Sequence, residues 1–174
     1  MYLVIAGTNR KQSATLKIAQ HYHEELQKRD EDSCLFALED LPLDFFFPQM
    51  YDQTNEALRN IQENWVIPAD KFIFVFPEYN GSFPGVLKAF IDACDVERAF
   101  HHKKAALVGI SAGRGGNLRG MDHLTGVLHH LKVSVVPDPL PISSIFKLFD
   151  DAGTLVNDEA RQRICQQIDA FQTF

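Results

Sequence analysis

The chain has 174 residues, of which 45% are apolar and 23% charged, and this predicts a single globular domain over residues 1–174. Its formal net charge of -6 argues against a nucleic-acid partner, because binding phosphates requires a basic face. Three dispersed cysteines, no signal peptide and no apolar run long enough to span a membrane predict a reduced, cytoplasmic protein without disulfides or structural zinc.

The amino-terminal third alternates strand and helix patterns. Tyr2–Ala6 reads as a short buried strand that ends at a polar loop. Apolar residues then recur at helical spacing up to Arg29, and Ser13 is the predicted N-cap of this helix. A second strand is expected over 33–38.

The next segment, 41–53, contains two prolines and the consecutive phenylalanines Phe45 to Phe47. Proline disfavours regular structure, so this segment is predicted to be a hydrophobic loop. A helix is expected from about Thr54 to Trp65, where Pro68 closes it before the next strand.

The central stretch is an apolar strand over 71–76 that stops at Pro77. The polar loop Pro77-Glu78-Tyr79-Asn80-Gly81-Ser82 follows, and a helix begins after Pro84 and runs to about Cys94. A fourth buried strand is predicted over 104–111, and it leads into the glycine-rich loop at 112–116.

The carboxyl-terminal third gives a strong helical stripe from Leu118 to Leu131 and a short fifth strand over 133–136. We expect a loop up to Asn157, and then a final helix that includes Phe171. Alternating strands and helices predict right-handed crossovers and a mostly parallel five-stranded sheet. The fold class is therefore α/β, a three-layer α/β/α sandwich.

Three loops that follow strands carry the unusual residues, and in a doubly wound sheet they converge on one crevice. The first offers hydroxyls and a guanidinium at a helix start, through Thr8, Arg10, Ser13 and Thr15, which suits a phosphate group. This first loop matches neither the P-loop pattern GxxxxGK[ST] of nucleotide-hydrolysing proteins nor the dinucleotide-binding pattern GxGxxG. The stretch GRGGNLRG, which starts at Gly113, lacks the context of a dinucleotide fingerprint.

The pattern G-[ST]-x-R-x-x-S-x-[TN] at Gly7, followed later by PEYNGSFPGVLKAFID, resembles the NADPH-dependent FMN reductase family. The resemblance implies a flavodoxin-like fold with strand order 2-1-3-4-5. It implies FMN as cofactor, with NADPH or NADH as co-substrate. Members of this family include chromate, quinone and azo-dye reductases.

The same resemblance assigns cofactor-binding residues on each of the three loops. The phosphate is expected at the first loop, the isoalloxazine and ribityl chain at the second, and the remaining side of the crevice at the third. The residues are Thr8, Arg10, Ser13 and Thr15; Pro77, Glu78, Tyr79 and Asn80; and Ser111, Gly113 and Gly116. Flavin carries the redox chemistry, so no catalytic side chain is required.

Plainer interpretations stand beside some of these assignments. Glu78 reads as a neighbour of the cofactor rather than a catalytic carboxylate, and Tyr79 could pack or contact the flavin ring. Histidine pairs occur, such as His101-His102, but they lack ligand partners and predict no metal site. Phe45 to Phe47 could be core, a dimer contact or a substrate wall, and we favour an interface bordering the active site.

This sequence departs from the LKNAIDW pattern of the family at Ala89, Phe90 and Ala93. The change predicts altered packing or subunit contacts rather than lost flavin binding. We expect a homodimer or homotetramer, as in relatives, that passes electrons from NAD(P)H to a small-molecule acceptor. The alternatives are a flavodoxin-like electron carrier and an FMN-binding protein without nicotinamide turnover.

Overall fold

A computed structural model describes residues 1–51 and 55–174. The strands are β1 (Tyr2–Ala6), β2 (Ser33–Ala37), β3 (Lys71–Pro77), β4 (Lys104–Ile110), β5 (Ser134–Val135) and β6 (Leu140–Ile142). The helices are α1 (Ala14–Gln27), α2 (Glu56–Ile61), α3 (Gly85–Ala93), α4 (Val96–Phe100), α5 (Leu118–His130) and α6 (Asp158–Thr173). None of these helices is both long and apolar enough to cross a membrane.

The strands form one parallel sheet in the order β2-β1-β3-β4-β5, which confirms the predicted flavodoxin-like order. Leu3 lies between Cys34 of β2 and Phe72 of β3, and this register continues along β1. Because parallel strands need crossover helices, both faces of the sheet are covered, and β1 is buried along its whole length.

Successive residues of each central strand point into two separate apolar cores. Leu3 and Ile5 pack with α3 and α5 on one face, whereas Val4 packs with α1 and α6 on the other. The alternation follows from the two-residue period of a strand. The three-layer α/β/α sandwich is thus built from side chains that alternate between these two cores.

The sheet contains a sixth strand where the sequence predicted a loop. β5 pairs with the start of β4, and β6 pairs with its end, so the two together occupy one edge position. Pro137 and Pro139 interrupt them because proline has no N–H for the ladder. Pairing resumes at Leu140, and the fifth predicted strand is therefore a broken pair of strands.

Other boundaries differ by a few residues. The helix predicted over 54–65 is α2 extended by a π-helical turn, Gln62–Val66, and its predicted first residue, Thr54, lies outside the described residues. The end of the predicted 41–53 loop lies outside them as well. α4 is a five-residue helix that was not predicted, and so short an element has little periodicity to reveal it.

Candidate functional site

A cavity of about 240 Å³ opens at the carboxyl edge of the sheet, where β1, β3 and β4 end. This is the position where open α/β sheets bind ligands. Seven of the eleven residues expected at the cofactor line this cavity, namely Arg10, Ser13, Thr15, Pro77, Glu78, Tyr79 and Ser111. The other four, Thr8, Asn80, Gly113 and Gly116, lie in the same loops without lining it.

The first loop delivers the start of α1 to the cavity. Ser13 is the N-cap, as expected, and its Oγ accepts a hydrogen bond from Leu16 N at 3.1 Å. Within the described chain, the backbone N–H groups of Ala14 and Thr15 have no acceptor. Both residues line the cavity. Free N–H groups at a helix amino terminus form an anion-binding site, and the helix dipole strengthens it.

Gly7 brings this loop against β3. Its N–H donates to Val75 O at 2.8 Å, and a Cβ on Gly7 would lie 2.9 Å from Phe76 Cβ. A side chain at this position would therefore push the first loop away from the second.

Thr8 is 2% exposed, and its hydroxyl contacts Tyr79 OH at 2.9 Å. Its Oγ1 also accepts from Arg10 N at 3.3 Å. Thr8 thus joins two loops of the crevice instead of facing the cavity. Arg10 is exposed, and no carboxylate of the described chain forms an ion pair with it.

The second loop is a tight hairpin. Tyr79 and Ser82 exchange two backbone hydrogen bonds, and Asn80 and Gly81 both have positive φ, at 53° and 76°. This is the type I′ geometry that Asn-Gly favours. Asn80 is exposed at its tip, so the hairpin presents Tyr79 to the cavity and turns Asn80 away from it.

The third loop is closed by Ser111. Its hydroxyl donates to Gly113 O at 3.0 Å and accepts from Gly116 N at 2.8 Å. Gly116 has φ 57°, and a Cβ there would lie 2.5 Å from Pro141 Cβ, whereas a Cβ on Gly113 would meet nothing within 4 Å. Gly116 is therefore required for packing, and Gly113 leaves open space beside the crevice.

Ile145 and Phe146 form a fourth wall that the sequence did not predict. Ser144 N donates to Gly113 O at 2.8 Å and Ile145 N to Ser111 O at 3.1 Å, so this segment is hydrogen-bonded to the third loop. Phe146 is 74% exposed at the rim. The sequence offered only a faint signal, the apolar alternation of Leu140 and Ile142 that leads the chain back to this edge.

The phenylalanine cluster divides between core and surface. Phe45 is buried in the core beside α3, while Phe46 and Phe47 are exposed. A depression of about 630 Å³ beside Phe47 is lined mainly by polar residues, among them Asp44, Gln49 and Asn60. That Phe46 and Phe47 form a subunit interface stays a prediction.

The cavity combines an anion-binding helix terminus, an aromatic side chain and backbone groups of a glycine-rich loop. In residues 1–51 and 55–174, no cluster of three or more His, Cys, Asp or Glu is arranged to hold a metal ion. Such a site suits an anionic, partly planar ligand.

A family model described as NADPH-dependent FMN reductase matches residues 2–147. The chain is 40% identical over 129 residues to an NAD(P)H-dependent FMN reductase of Pseudomonas aeruginosa, a match that covers 72% of this chain and 65% of that protein. It is 27% identical over 172 residues to a 2-hydroxy-1,4-benzoquinone reductase of Burkholderia sp., covering 97% and 92% of the two chains.

Solved structures share the fold. The flavoenzyme NAD(P)H:(acceptor) oxidoreductase FerB of Paracoccus denitrificans superposes with a TM-score of 0.78 at 22% identity, over 98% of this chain and 93% of that one. At this identity the likeness establishes the three-layer flavodoxin-like fold.

Proposed function

The chain belongs to the NADPH-dependent FMN reductase family, and on that premise we propose that it is an FMN-dependent oxidoreductase that moves electrons from NAD(P)H to a small-molecule acceptor. FMN, when bound, supplies the hydride-accepting and electron-donating chemistry. The protein contributes binding, orientation and a polar environment, and no side-chain nucleophile or general base is needed for these roles.

The amino terminus of α1 is the observation that carries this proposal. The N–H groups of Ala14 and Thr15 have no acceptor within the described chain, and both residues line the crevice. A monoester phosphate would satisfy these donors, with Arg10 and the hydroxyls of Ser13 and Thr15 beside it. The donor set therefore fits the phosphate end of FMN.

The remaining site residues have two kinds of role in this proposal. Pro77, Glu78, Tyr79 and Ser111 border the flavin directly, as expected from their position on the cavity wall. Gly113 leaves room for the ring to approach the backbone, and Asn80 sets the hairpin turn. Thr8 and Gly116 hold the loops in place.

We propose a quinone, a flavin, an azo compound or a metal oxyanion as the electron acceptor. Relatives named as benzoquinone reductases and azoreductases support the first and third of these. We also propose that the protein works in the cytoplasm as a homodimer or homotetramer. Its three cysteines are free, which is compatible with a reducing compartment.

Anaerobic mixing of the FMN-loaded protein with NADPH or NADH tests the activity. We expect the flavin absorbance near 450 nm to bleach with at least one nicotinamide and to return when a benzoquinone is added, with free FMN at the same concentration as the control. If neither nicotinamide bleaches the bound flavin, the oxidoreductase proposal is wrong. That result would instead favour an electron carrier without nicotinamide turnover.

A further inference from the structure

Positive charge is concentrated at the mouth of the crevice in an otherwise acidic protein. The four wall segments, at 7–13, 77–84, 111–119 and 143–148, contain five of the 17 Lys and Arg residues but one of the 23 Asp and Glu residues. The five are Arg10, Lys11, Arg114, Arg119 and Lys147. None forms an ion pair within the described chain.

Two lysines at the opposite edge of the sheet donate hydrogen bonds to backbone carbonyl groups. Lys71 Nζ donates to Phe171 O at 2.7 Å, and Lys104 Nζ donates to Phe174 O at 2.7 Å, so both cap the carboxyl end of α6. Cations at a helix carboxyl terminus stabilise it. These lysines therefore have structural partners, which the cations at the mouth lack.

Arg119 lies across the Asn80-Gly81 turn. Its Nη1 would be 2.9 Å from a Cβ on Gly81, so the glycine leaves the space that the guanidinium occupies. Arg119 is also in the first turn of α5, where a cation opposes the helix dipole. Asp122, three residues further along, does not form an ion pair with it. Stabilisation of α5 therefore does not account for an arginine at position 119.

Arg114 is exposed at the centre of the glycine-rich loop that closes the other side of the crevice. The carboxylate of Glu78 is the one acidic group in the wall segments, and it lies near Gly115. Neither Arg114 nor Arg119 lines the cavity where the α1 terminus provides for a phosphate. Their charge is therefore available outside the predicted FMN site.

We propose that Arg114 and Arg119 form a cationic subsite at the crevice mouth that binds an anionic group of the second substrate. The inference rests on the proposed function and adds the chemical class of what is recognised. The group is either the ribose phosphate that distinguishes NADPH from NADH, or a carboxylate, sulfonate or ionised hydroxyl on the acceptor. Positive charges at the mouth of a cleft also accelerate the encounter with an anionic ligand and make its rate salt-dependent.

The test compares the double variant Arg114→Gln/Arg119→Gln with the wild type, both loaded with FMN, in anaerobic stopped-flow experiments. NADPH and NADH are compared in the reductive half-reaction, and a neutral benzoquinone and a sulfonated naphthoquinone in the oxidative one. Lys132→Gln is the matched control, since Lys132 is exposed at the far end of α5, ~20 Å from its start. Arg119→Lys keeps the charge.

Two ratios of second-order rate constants are compared: that for NADPH over that for NADH, and that for the sulfonated quinone over that for the neutral one. We expect the double variant to lower one of these ratios by roughly three- to tenfold. The affected rate constant should also depend less steeply on KCl concentration in the double variant than in the wild type. Lys132→Gln should leave both ratios unchanged, and Arg119→Lys should largely preserve them. The ratio that changes identifies the source of the anion.

If both ratios and their salt dependence are the same in the double variant and the wild type, the subsite proposal is wrong. A titration with FMN establishes that the variant is folded and loaded, because neither arginine lines the FMN cavity. If wild-type protein is not reduced by either nicotinamide, the proposed function itself fails, which is a separate outcome.

Discussion

Tyr79 joins the second loop of the crevice to the first through its hydroxyl, which lies 2.9 Å from Thr8 Oγ1. Tyr79→Phe removes this bond and leaves the nearly buried Thr8 hydroxyl without it, at a cost of about 1 kcal/mol. We expect FMN to bind several-fold more weakly, because the first loop carries the phosphate donors. Fluorescence titration with FMN measures the change.

Thr8→Val provides the companion variant for a double-mutant cycle. If the two hydroxyls act through their mutual bond, the second substitution should add little to the effect of the first. Fully additive losses of FMN affinity would show that each hydroxyl acts independently, and the loop-joining role would have to be abandoned.

The partly buried amine of Lys103 should make the free energy of unfolding depend on pH. Burial lowers the pKa of Lys103 to about 8, while its Nζ donates to Val66 O and Ile67 O. Between pH 8 and the ordinary lysine pKa of about 10.4, the unfolded chain binds the proton more strongly, so stability due to this group rises with pH. Below pH 8 the charged group is disfavoured by burial in the native state.

Lys103→Met isolates this contribution, since other titrating groups are common to both proteins. The unfolding free energy of the wild type relative to the variant should be higher at pH 10 than at pH 7, as measured by urea denaturation. A difference that does not vary with pH would mean that the amine titrates normally in the folded protein.

Two glycines of the glycine-rich loop have different roles, since Gly116 packs against Pro141 and Gly113 borders open space. Gly116→Ala would bring a Cβ to 2.5 Å from Pro141 Cβ at a positive φ, and should destabilise the fold by about 2 to 4 kcal/mol. Gly113→Ala meets no atom within 4 Å and should change stability by less than about 0.5 kcal/mol.

Gly113→Ala should instead weaken FMN binding if the flavin approaches the backbone there. Thermal unfolding and FMN titration on both variants separate the two effects. The opposite pattern, a stable Gly116→Ala and an unstable Gly113→Ala, would contradict the roles assigned to this loop.

One side chain of α6 bridges the gap between β5 and β6 at the edge of the sheet. Gln167 Nε2 donates to Leu107 O at 3.1 Å and to Asp138 O at 3.3 Å, where the prolines interrupt the ladder, and its Oε1 accepts from Tyr22 OH at 2.7 Å. Gln167→Leu should therefore cost about 2 to 4 kcal/mol, because two buried groups and one partly buried carbonyl lose their partner. Urea denaturation tests this, with the exposed neighbour Gln166→Leu as control.

Three of the four walls could be predicted because each follows an apolar run that ends at Gly, Pro or Ser. The Asn80-Gly81 turn also carries its own local signal. The fourth wall, at Ile145, could not be predicted, since β6 is a three-residue strand that includes Pro141 and is held by pairing with β4, a strand far away in sequence. The Thr8–Tyr79 contact likewise joins residues 71 positions apart, which no local pattern specifies.

At the scale of the whole molecule, the two edges of the sheet differ in chemistry. The amino edge uses lysines to bind carbonyl groups at the ends of helices, as Lys104 does at Phe174. The carboxyl edge presents free N–H groups at the start of α1 and unpaired cations at the crevice mouth. This division places structural charge at one edge and leaves the other for anionic ligands.

A crystal structure of the protein grown with saturating FMN tests the central claim most directly. We predict the FMN phosphate within hydrogen-bonding distance, about 2.7–3.2 Å, of the backbone nitrogens of Ala14 and Thr15. The isoalloxazine should lie between Tyr79 and the Ser111–Gly113 loop. Flavin bound at another position, or a crevice without flavin under these conditions, would contradict the assignment of this edge as the FMN site.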